Sequence, residues 1–373
     1  MKVCIFPNDP IISYYEKGEI KERYFNPENI FDEVHVISFI DQDIDESKVQ
    51  KIVGNAKLII HSIGKINVKN RKKEISKIQK IVKEIQPDVI RAYNPLVEGW
   101  SAAYVAKELN IPFYVSLHTQ YDYNRKLIKK KNLKKFLVLK YSEKFIEPFV
   151  LQNANKISVV YKIIEPYVLK HTSQKPQLIY NKVDCKKFLN VEAVNEFAKP
   201  LILSVGNLIP SKNHSLLINV MKKIDAHLLI IGNGELYNEL IEEINSNNLE
   251  EKISIIKSVP HEKIPQYFKS ADIFALAYDP NQEGLPMPVM EAMAAGLPIV
   301  IPKSIDSEEL KDCVEFAERK IDSFYQKISK LLENDDLRRR KGFVGLEKAQ
   351  NFDSSKIEKN EAMIYEELLK DRQ

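Results

Sequence analysis

The sequence predicts an α/β protein of two Rossmann-like domains, each a parallel sheet with helices on both faces. Three observations carry this. Short apolar runs of strand length alternate with segments of helical period from the N-terminus to about residue 180. The alternation lapses over residues 182–198 and restarts at Leu201. A chain of 373 residues is too long for one ordinary core. The expected domains are residues 1–185 and 186–354, with a C-terminal helix over 355–373 whose expected place is against the first domain. Such an architecture presents two similar halves across a cleft.

The elements follow in order. KVCIF (2–6) is a short buried strand. Residues 7–27 are polar and aromatic, too long for a simple connector, and read as a loop of the kind that is often functional. VHVISF (34–39) and AKLIIHSI (56–63) are strand-like. Ile75, Ile78, Val82 and Ile85 then recur at helical spacing, and Pro87 ends that helix. DVIRAY (88–93) is a strand, 97–109 a helix, and FYVSLH (113–118) a strand stopping at His118. One long helical pattern runs to about Val150, followed by the strands KISVVY (156–161) and QLIY (177–180).

In the second half, LILSVG (201–206), HLLIIG (227–232), ISIIKS (253–258), IFALA (273–277) and residues 298–302 are strands. Helices starting near Ser215 and Glu235, across 261–269 and over 289–295 separate them. In the tail, Ile357, Ile364, Tyr365 and Leu368 share one apolar face. Strands alternating with helices imply βαβ units, and such sheets bind ligands at the carboxyl ends of their strands. Polar residues just after the strands are therefore the candidates for function.

Composition narrows the class. An apolar content of 44% and a charged content of 29% fit a soluble globular protein. Cys4, Cys185 and Cys313 are far apart with no CxxC spacing, which argues against a disulfide framework or zinc site and for a reducing compartment. MKVCIFPNDP lacks the apolar segment of a signal peptide, and no run approaches the roughly 20 residues that span a bilayer. The expected location is the cytoplasm. Net charge is only +4, so any basic binding surface must come from local clustering.

The richest stretch is EGLPMPVMEAMAAGLPIVIP, residues 283–302. Pro286 and Pro288 suit the first turn of a helix, and Gly296 suits its end. Glu283 falls in the loop and Glu291 on the helix, with seven residues between them. Ionised carboxylates accept hydrogen bonds from sugar and ribose hydroxyls with charge-assisted strength, and a helix N-terminus between them offers amides to phosphate. Surface or capping glutamates are the competing reading. After the strand LILSVG, the loop GNLIPSKN carries Lys212, which beside helix N-terminal amides can hold phosphate; a solvated surface lysine is the alternative there. Gly232 and Gly234 form a lone GxG that a tight turn alone explains. Asp41 and Asp43 have a DxD-like spacing, but they sit in an acid-rich segment after an early strand, and a metal site is rejected.

These residues carry a resemblance. EGLPMPVMEAMAAGLPIV looks like the hallmark of the retaining glycosyltransferases of family 4, which have the GT-B fold, and VGNLIPSKN resembles their diphosphate-binding loop. SLHTQYD, with His118, is similar to their donor-facing histidine segment, and IYNKVDCKKF to the segment closing their first domain. The resemblance implies a nucleotide-sugar donor held mainly by the second domain. Glu291 would bind the ribose hydroxyls, Glu283 the transferred sugar, Lys212 the diphosphate, and the backbone around Gly284, Leu285, Pro286 and Met287, through the amides it has there, the phosphate and sugar. His118 would face the sugar from the first domain. It further implies retention of anomeric configuration, with no essential metal and no cofactor beyond the donor substrate. The chain departs from the family at two positions: Asn207 stands at the second diphosphate contact, where arginine is usual, and Lys182 replaces the usual glycine of the domain-closing segment.

Residues 125–144 are conspicuous. Between 123 and 142 there is no acid, while Arg125, Lys126, Lys129, Lys130, Lys131, Lys134, Lys135 and Lys140 alternate with leucine, isoleucine and phenylalanine. Such a basic amphipathic stretch suits the anionic inner face of the cell membrane, or else a helix with its apolar side in the core. No nucleic-acid-binding module accompanies it.

The expected function is transfer of a hexose from a UDP- or GDP-sugar to a glycan or lipid-linked glycan in surface polysaccharide, glycolipid or glycoprotein assembly. A nucleotide-sugar epimerase of the same fold and a catalytically silent sugar-binding protein are the alternatives. Acceptor candidates are Lys17, Gly18, Arg23, Arg91 and Tyr93.

Overall fold

A computed structural model describes residues 1–194 and 196–370, without the side chain of Lys130. The last three residues of the expected C-terminal helix, 371–373, lie outside the described residues. The chain forms two compact units, one of residues 1–180 with 358 onward, the other of 181–357.

The first unit holds a seven-stranded parallel sheet: β1 (Lys2–Phe6), β2 (Glu33–Ser38), β3 (Lys57–Ser62), β4 (Val89–Ala92), β5 (Phe113–Leu117), β6 (Lys156–Val159) and β7 (Gln177–Leu178). Their order is β3-β2-β1-β4-β5-β6-β7. The chain reverses its direction of travel across the sheet between β1 and β4. β1, β4 and β5 are almost wholly buried, as expected for strands covered on both faces.

The second unit repeats the plan with β8 (Leu201–Val205), β9 (His227–Ile231), β10 (Ile253–Ile256), β11 (Ile273–Ala275), β12 (Ile299–Ile301) and β13 (Val314–Phe316), ordered β10-β9-β8-β11-β12-β13. Its reversal point lies between β8 and β11, and that crevice is where open α/β sheets place their ligands. Helices His214–Met221, Tyr237–Ser246 and Ile321–Leu332 supply Leu217, Ile218, Leu240, Ile244, Phe324 and Ile328 to the core on one side of this sheet.

Four local expectations are corrected. The 7–27 segment is not wholly loop: it contains the helix Ile11–Glu16, too short to show a period. The amides of Ile11 and Ile12 donate to the Asp43 carboxylate at 2.9 and 2.7 Å, so this aspartate of the DxD-like pair caps a helix. The long pattern ending near Val150 is three helices, Tyr121–Lys131, Leu133–Phe145 and Glu147–Gln152. Asn132 makes the first break, its side chain accepting from the Lys135 amide at 2.9 Å, and Pro148 opens the third helix. β13 has only three residues and went unanticipated. Finally, Val183 and Cys185 are hydrogen-bonded to Phe352 and Asp353, which fixes 181–185 to the second unit.

The C-terminal helix Ser354–Lys370 completes the first unit from residue 358. Tyr365 is fully buried there, its ring edge-on to Tyr114 and Phe31. Arg91, buried in β4, forms an ion pair with Glu361 and donates to the Tyr365 hydroxyl at 2.7 Å. Its guanidinium lies over the Tyr93 and Tyr114 rings at 4.1 and 4.6 Å. Arg23 pairs with the buried Glu358 at 2.8 Å.

Candidate active site

In the second unit, two loops meet at the reversal point. The loop after β8 carries Lys212, only 6% exposed, and the loop after β11 carries Glu283. The Lys212 ammonium donates to the Glu283 carboxylate at 2.6 Å. A backbone bond joins the same loops, the Asp279 amide donating to the Ser211 carbonyl at 2.7 Å; within the second loop the Glu283 amide donates to the Asp279 carbonyl at 3.1 Å. Asn213 turns the first loop into its helix in the left-handed region, φ 52°, which asparagine tolerates better than most residues.

Gly232 and Gly234 now have a reason beyond a tight turn. A Cβ on Gly232 would stand 2.0 Å from the Gly206 carbonyl oxygen, and one on Gly234 2.4 Å from that of Leu208. Glycine here lets the loop after β9 seat the Lys212 loop by direct backbone contact. Asn207 is exposed in that loop and brings no charge.

The segment after Glu283 is held from behind. The Gly284 carbonyl accepts from the Tyr278 hydroxyl at 3.0 Å and from Ser304 Oγ at 2.6 Å. Ser304 and Ser307 brace one another through their hydroxyls and amides at 2.9–3.0 Å. All three side chains are buried. Sequence reasoning missed them, since no period or motif marks Tyr278, Ser304 or Ser307.

Leu285 is buried beneath the loop and Pro286 precedes the helix Met287–Ala294, which starts without a side-chain cap and with Pro288 in its first turn. Pro288 has no N–H and the Val289 amide donates to the Pro286 carbonyl at 3.0 Å, which leaves the Met287 amide as the first-turn donor suited to an anion. Glu291 is on this helix, 9% exposed. An ammonium and a helix amide flanked by two carboxylates suit a ligand that is anionic in one part and hydroxyl-rich in others. Lys212, Glu283, Gly284–Met287 and Glu291 all belong to this one unit.

His214, the first residue of the helix after Lys212, is buried, and burial plus the nearby Lys212 charge push its pKa down to about 4. Its Nδ1 lies 3.3 Å from Ser204 Oγ.

His118 stands in the first unit, one residue past β5. Its Nε2 lies 3.0 Å from Ser116 Oγ, and its ring stacks on Tyr93 at 5.5 Å between centroids. Arg91 reaches the same Ser116 hydroxyl at 3.4 Å. Burial, with Arg91 and Lys21 charges adding to it, pushes the His118 pKa down to about 3, so the imidazole is neutral at physiological pH. It can exchange hydrogen bonds with a hydroxyl but brings no positive charge.

The acceptor candidates separate. Arg23 and Arg91 are spent on Glu358 and Glu361 of the C-terminal helix, and Tyr93 is buried between Tyr24 and His118. Lys17 is exposed and Gly18 closes its helix at φ 68°. Arg125, grouped by sequence with the basic stretch, is instead buried against Asp122 and Glu147 at 2.8 Å each. Among the described residues, no helix is long and apolar enough to cross a membrane.

Comparisons with known proteins agree with this fold. The family model described as Glycosyltransferase Family 4 matches residues 32–187, and that of Glycosyl transferases group 1 matches 190–342. An uncharacterized glycosyltransferase of Methanocaldococcus jannaschii is 25% identical, over 75% of this chain and 76% of that protein. The N-acetylgalactosamine-N,N'-diacetylbacillosaminyl-diphospho-undecaprenol 4-alpha-N-acetylgalactosaminyltransferase of Campylobacter jejuni is 29% identical, over 49% of this chain and 52% of its own. Among solved structures, Anabaena HepE in complex with UDP and glucose superposes with a TM-score of 0.74 at 15% identity, covering 98% of this chain and 99% of that one. With the two family models meeting end to end along its two units, the chain belongs to the family 4, group 1 glycosyltransferases and has their GT-B fold.

Proposed function

We propose that this glycosyltransferase is a retaining hexosyltransferase that takes its sugar from a UDP- or GDP-sugar and needs no essential metal ion. The observation that carries the reading is Lys212 held 2.6 Å from Glu283, beside the uncapped start of helix Met287–Ala294. In this reading Lys212 and the amides of Gly284, Leu285 and Met287 stabilise the departing diphosphate, a role in which fixed donors act without reorganising. Glu283 accepts from hydroxyls of the transferred sugar, and Glu291 from those of the ribose. The pair must open as the donor enters, with the diphosphate replacing the carboxylate at the ammonium. Neutral His118 hydrogen-bonds the sugar.

Retention follows from the resemblance of 283–300 to the family hallmark. UDP is the first donor base to test, since HepE was solved with UDP and glucose. The acceptor proposed is a glycan or lipid-linked glycan, in keeping with the diphospho-undecaprenol substrate named for the Campylobacter relative. A peripheral position at the inner face of the cell membrane accords with that acceptor.

The test is incubation of the full chain with UDP-glucose, UDP-galactose, UDP-N-acetylglucosamine and GDP-mannose, with and without EDTA. Release of nucleoside diphosphate undiminished by EDTA, with an α-anomer first seen by NMR, supports the reading. Isomerised donor would replace it with an epimerase, and binding without turnover with a silent sugar-binding protein.

A further inference from the structure

The helix Leu133–Phe145 presents an apolar stripe to solvent. Leu133, Leu137, Tyr141 and Phe145 recur every fourth residue, are 63, 59, 42 and 52% exposed, and so share one side of the helix. Val138 joins them, 45% exposed. The opposite side faces inward through Phe136, Leu139, Ser142 and Ile146. Together with Leu127 on the preceding helix, six of the fourteen exposed large apolar side chains among the described residues fall within 127–145. That concentration separates the stripe from the scattered apolar residues every surface carries.

Charge is sorted around it. Lys134 and Lys144 lie on the stripe side of the helix, Lys135 and Lys140 flank it, and Lys126 and Lys129 are exposed on the helix before. The nearby acids are drawn away from solvent. Glu147 is fully buried and accepts from Arg125 and Tyr167; Glu143 bonds Lys140 and Lys170 and lies 3.5 Å from Arg125; Asp122 also pairs with Arg125. A buried arginine thus gathers the carboxylates on the inner side; Lys140 is held by Glu143 at 2.7 Å, and Lys134, Lys135 and Lys144 stay with the apolar stripe.

We propose that this face is a docking surface for an anionic phospholipid bilayer. The stripe enters the headgroup boundary while Lys134, Lys135 and Lys144 meet lipid phosphates, the arrangement of interfacial helices. A soluble acidic partner would satisfy the lysines but would not require Leu133, Leu137, Val138 and Phe145 exposed beside them; Tyr141 is in part turned to Arg71, which donates to its hydroxyl at 3.3 Å. The inference deepens the reading above, on which it rests only in having a membrane supply the acceptor.

The test is co-sedimentation of the full chain with vesicles of phosphatidylcholine, alone or with about 30 mol % phosphatidylglycerol. Binding is expected to the anionic vesicles only, and to fall as salt rises from about 0.1 to about 0.5 M. Leu137→Ser with Phe145→Ser is expected to weaken it at least about tenfold, since each buried apolar side chain contributes a factor of roughly ten. Lys134→Gln with Lys144→Gln is expected to weaken it roughly thirtyfold. Both double variants change exposed residues and should melt like the parent, a check that separates lost docking from misfolding. Absence of binding to anionic vesicles, equal binding to neutral ones, or binding insensitive to the serine pair would overturn the proposal. So would a dimer in lipid-free solution that the serine pair abolishes, which would assign the stripe to a second copy. Vesicle binding is read without donor or acceptor, so failure of the donor panel leaves this result standing and the reverse holds equally.

Discussion

Lys212 and Glu283 hold each other in a site that, on the proposed reading, must release them to a diphosphate and a sugar. This makes the two substitutions unequal. Lys212→Ala removes the cation and is expected to lower turnover on the best donor by about a hundredfold or more, in line with loss of one fixed oxyanion donor. Glu283→Gln also lowers turnover, yet frees the ammonium, so calorimetry should find UDP bound as tightly as by the parent or more so. Weaker UDP binding by Glu283→Gln would mean that the carboxylate holds the lysine in place and does not compete with phosphate. Arg91 shows a different economy. Its charge is buried and answered by Glu361, with Tyr93 and Tyr114 rings against it. Glu361→Ala leaves that guanidinium without its ion-pair partner and is expected to cost about 3 kcal/mol in urea unfolding. A loss below about 1 kcal/mol would place the pair among those that contribute little, as exposed pairs do.

At the scale of elements, the loop 279–286 owes its shape to neighbours behind it. Tyr278 and Ser304 both donate to the Gly284 carbonyl, which sets the plane of the peptide leading to Leu285. Ser304→Ala is expected to lower kcat/KM for the donor by about tenfold while shifting the melting point by only a few degrees, the usual result of losing one buried hydrogen bond. Ser304→Thr, which keeps the hydroxyl, should recover most of the activity; failure of threonine to do so would argue for packing in place of the hydrogen bond. This bracing explains what the sequence could and could not show. The strands were legible because runs such as LILSV and HLLII are buried on both faces and leave continuous apolar stretches. Lys212, Glu283, Glu291 and His118 stand out as candidates because a resemblance marks them and they sit in or beside loops that end strands. Ser304 was not, since a serine acquires its task only when a carbonyl twenty residues away is brought to it. Arg91 and Arg125 misled for the converse reason: a charge in sequence reads as solvated, and only the fold supplies Glu361 and Glu147 to bury it.

The whole molecule carries its histidines mostly without charge. Burial lowers the pKa of His35, His61, His171 and His227, and takes His214 to about 4 and His118 to about 3. In each the unfolded chain binds a proton below about pH 6.5 that the folded chain refuses until its lower value is reached. The unfolded state therefore holds more protons in that window, and stability must rise with pH there and fall as pH drops. Each such histidine contributes at most about 1.4 kcal/mol per pH unit, so His214 alone accounts for about 2 kcal/mol between pH 6.5 and 5. Glu98 and Glu147 act the other way, because burial raises their pKa and their protonation favours the folded state. Two opposing carboxyls against six histidines leave acid lability as the net expectation. Glu143 joins the histidines only later: burial opposes its charge, but Lys140, Lys170 and Arg125 hold it down at about 2, so its contribution is lost below the ordinary carboxylate range. Urea unfolding at pH 7.5 and pH 5 should therefore show a clear loss of stability at the lower value, and His214→Gln should reduce that loss. Equal stability at the two pH values would mean that the folded chain lets water or carboxylates reach these rings, and that their burial does not keep them neutral.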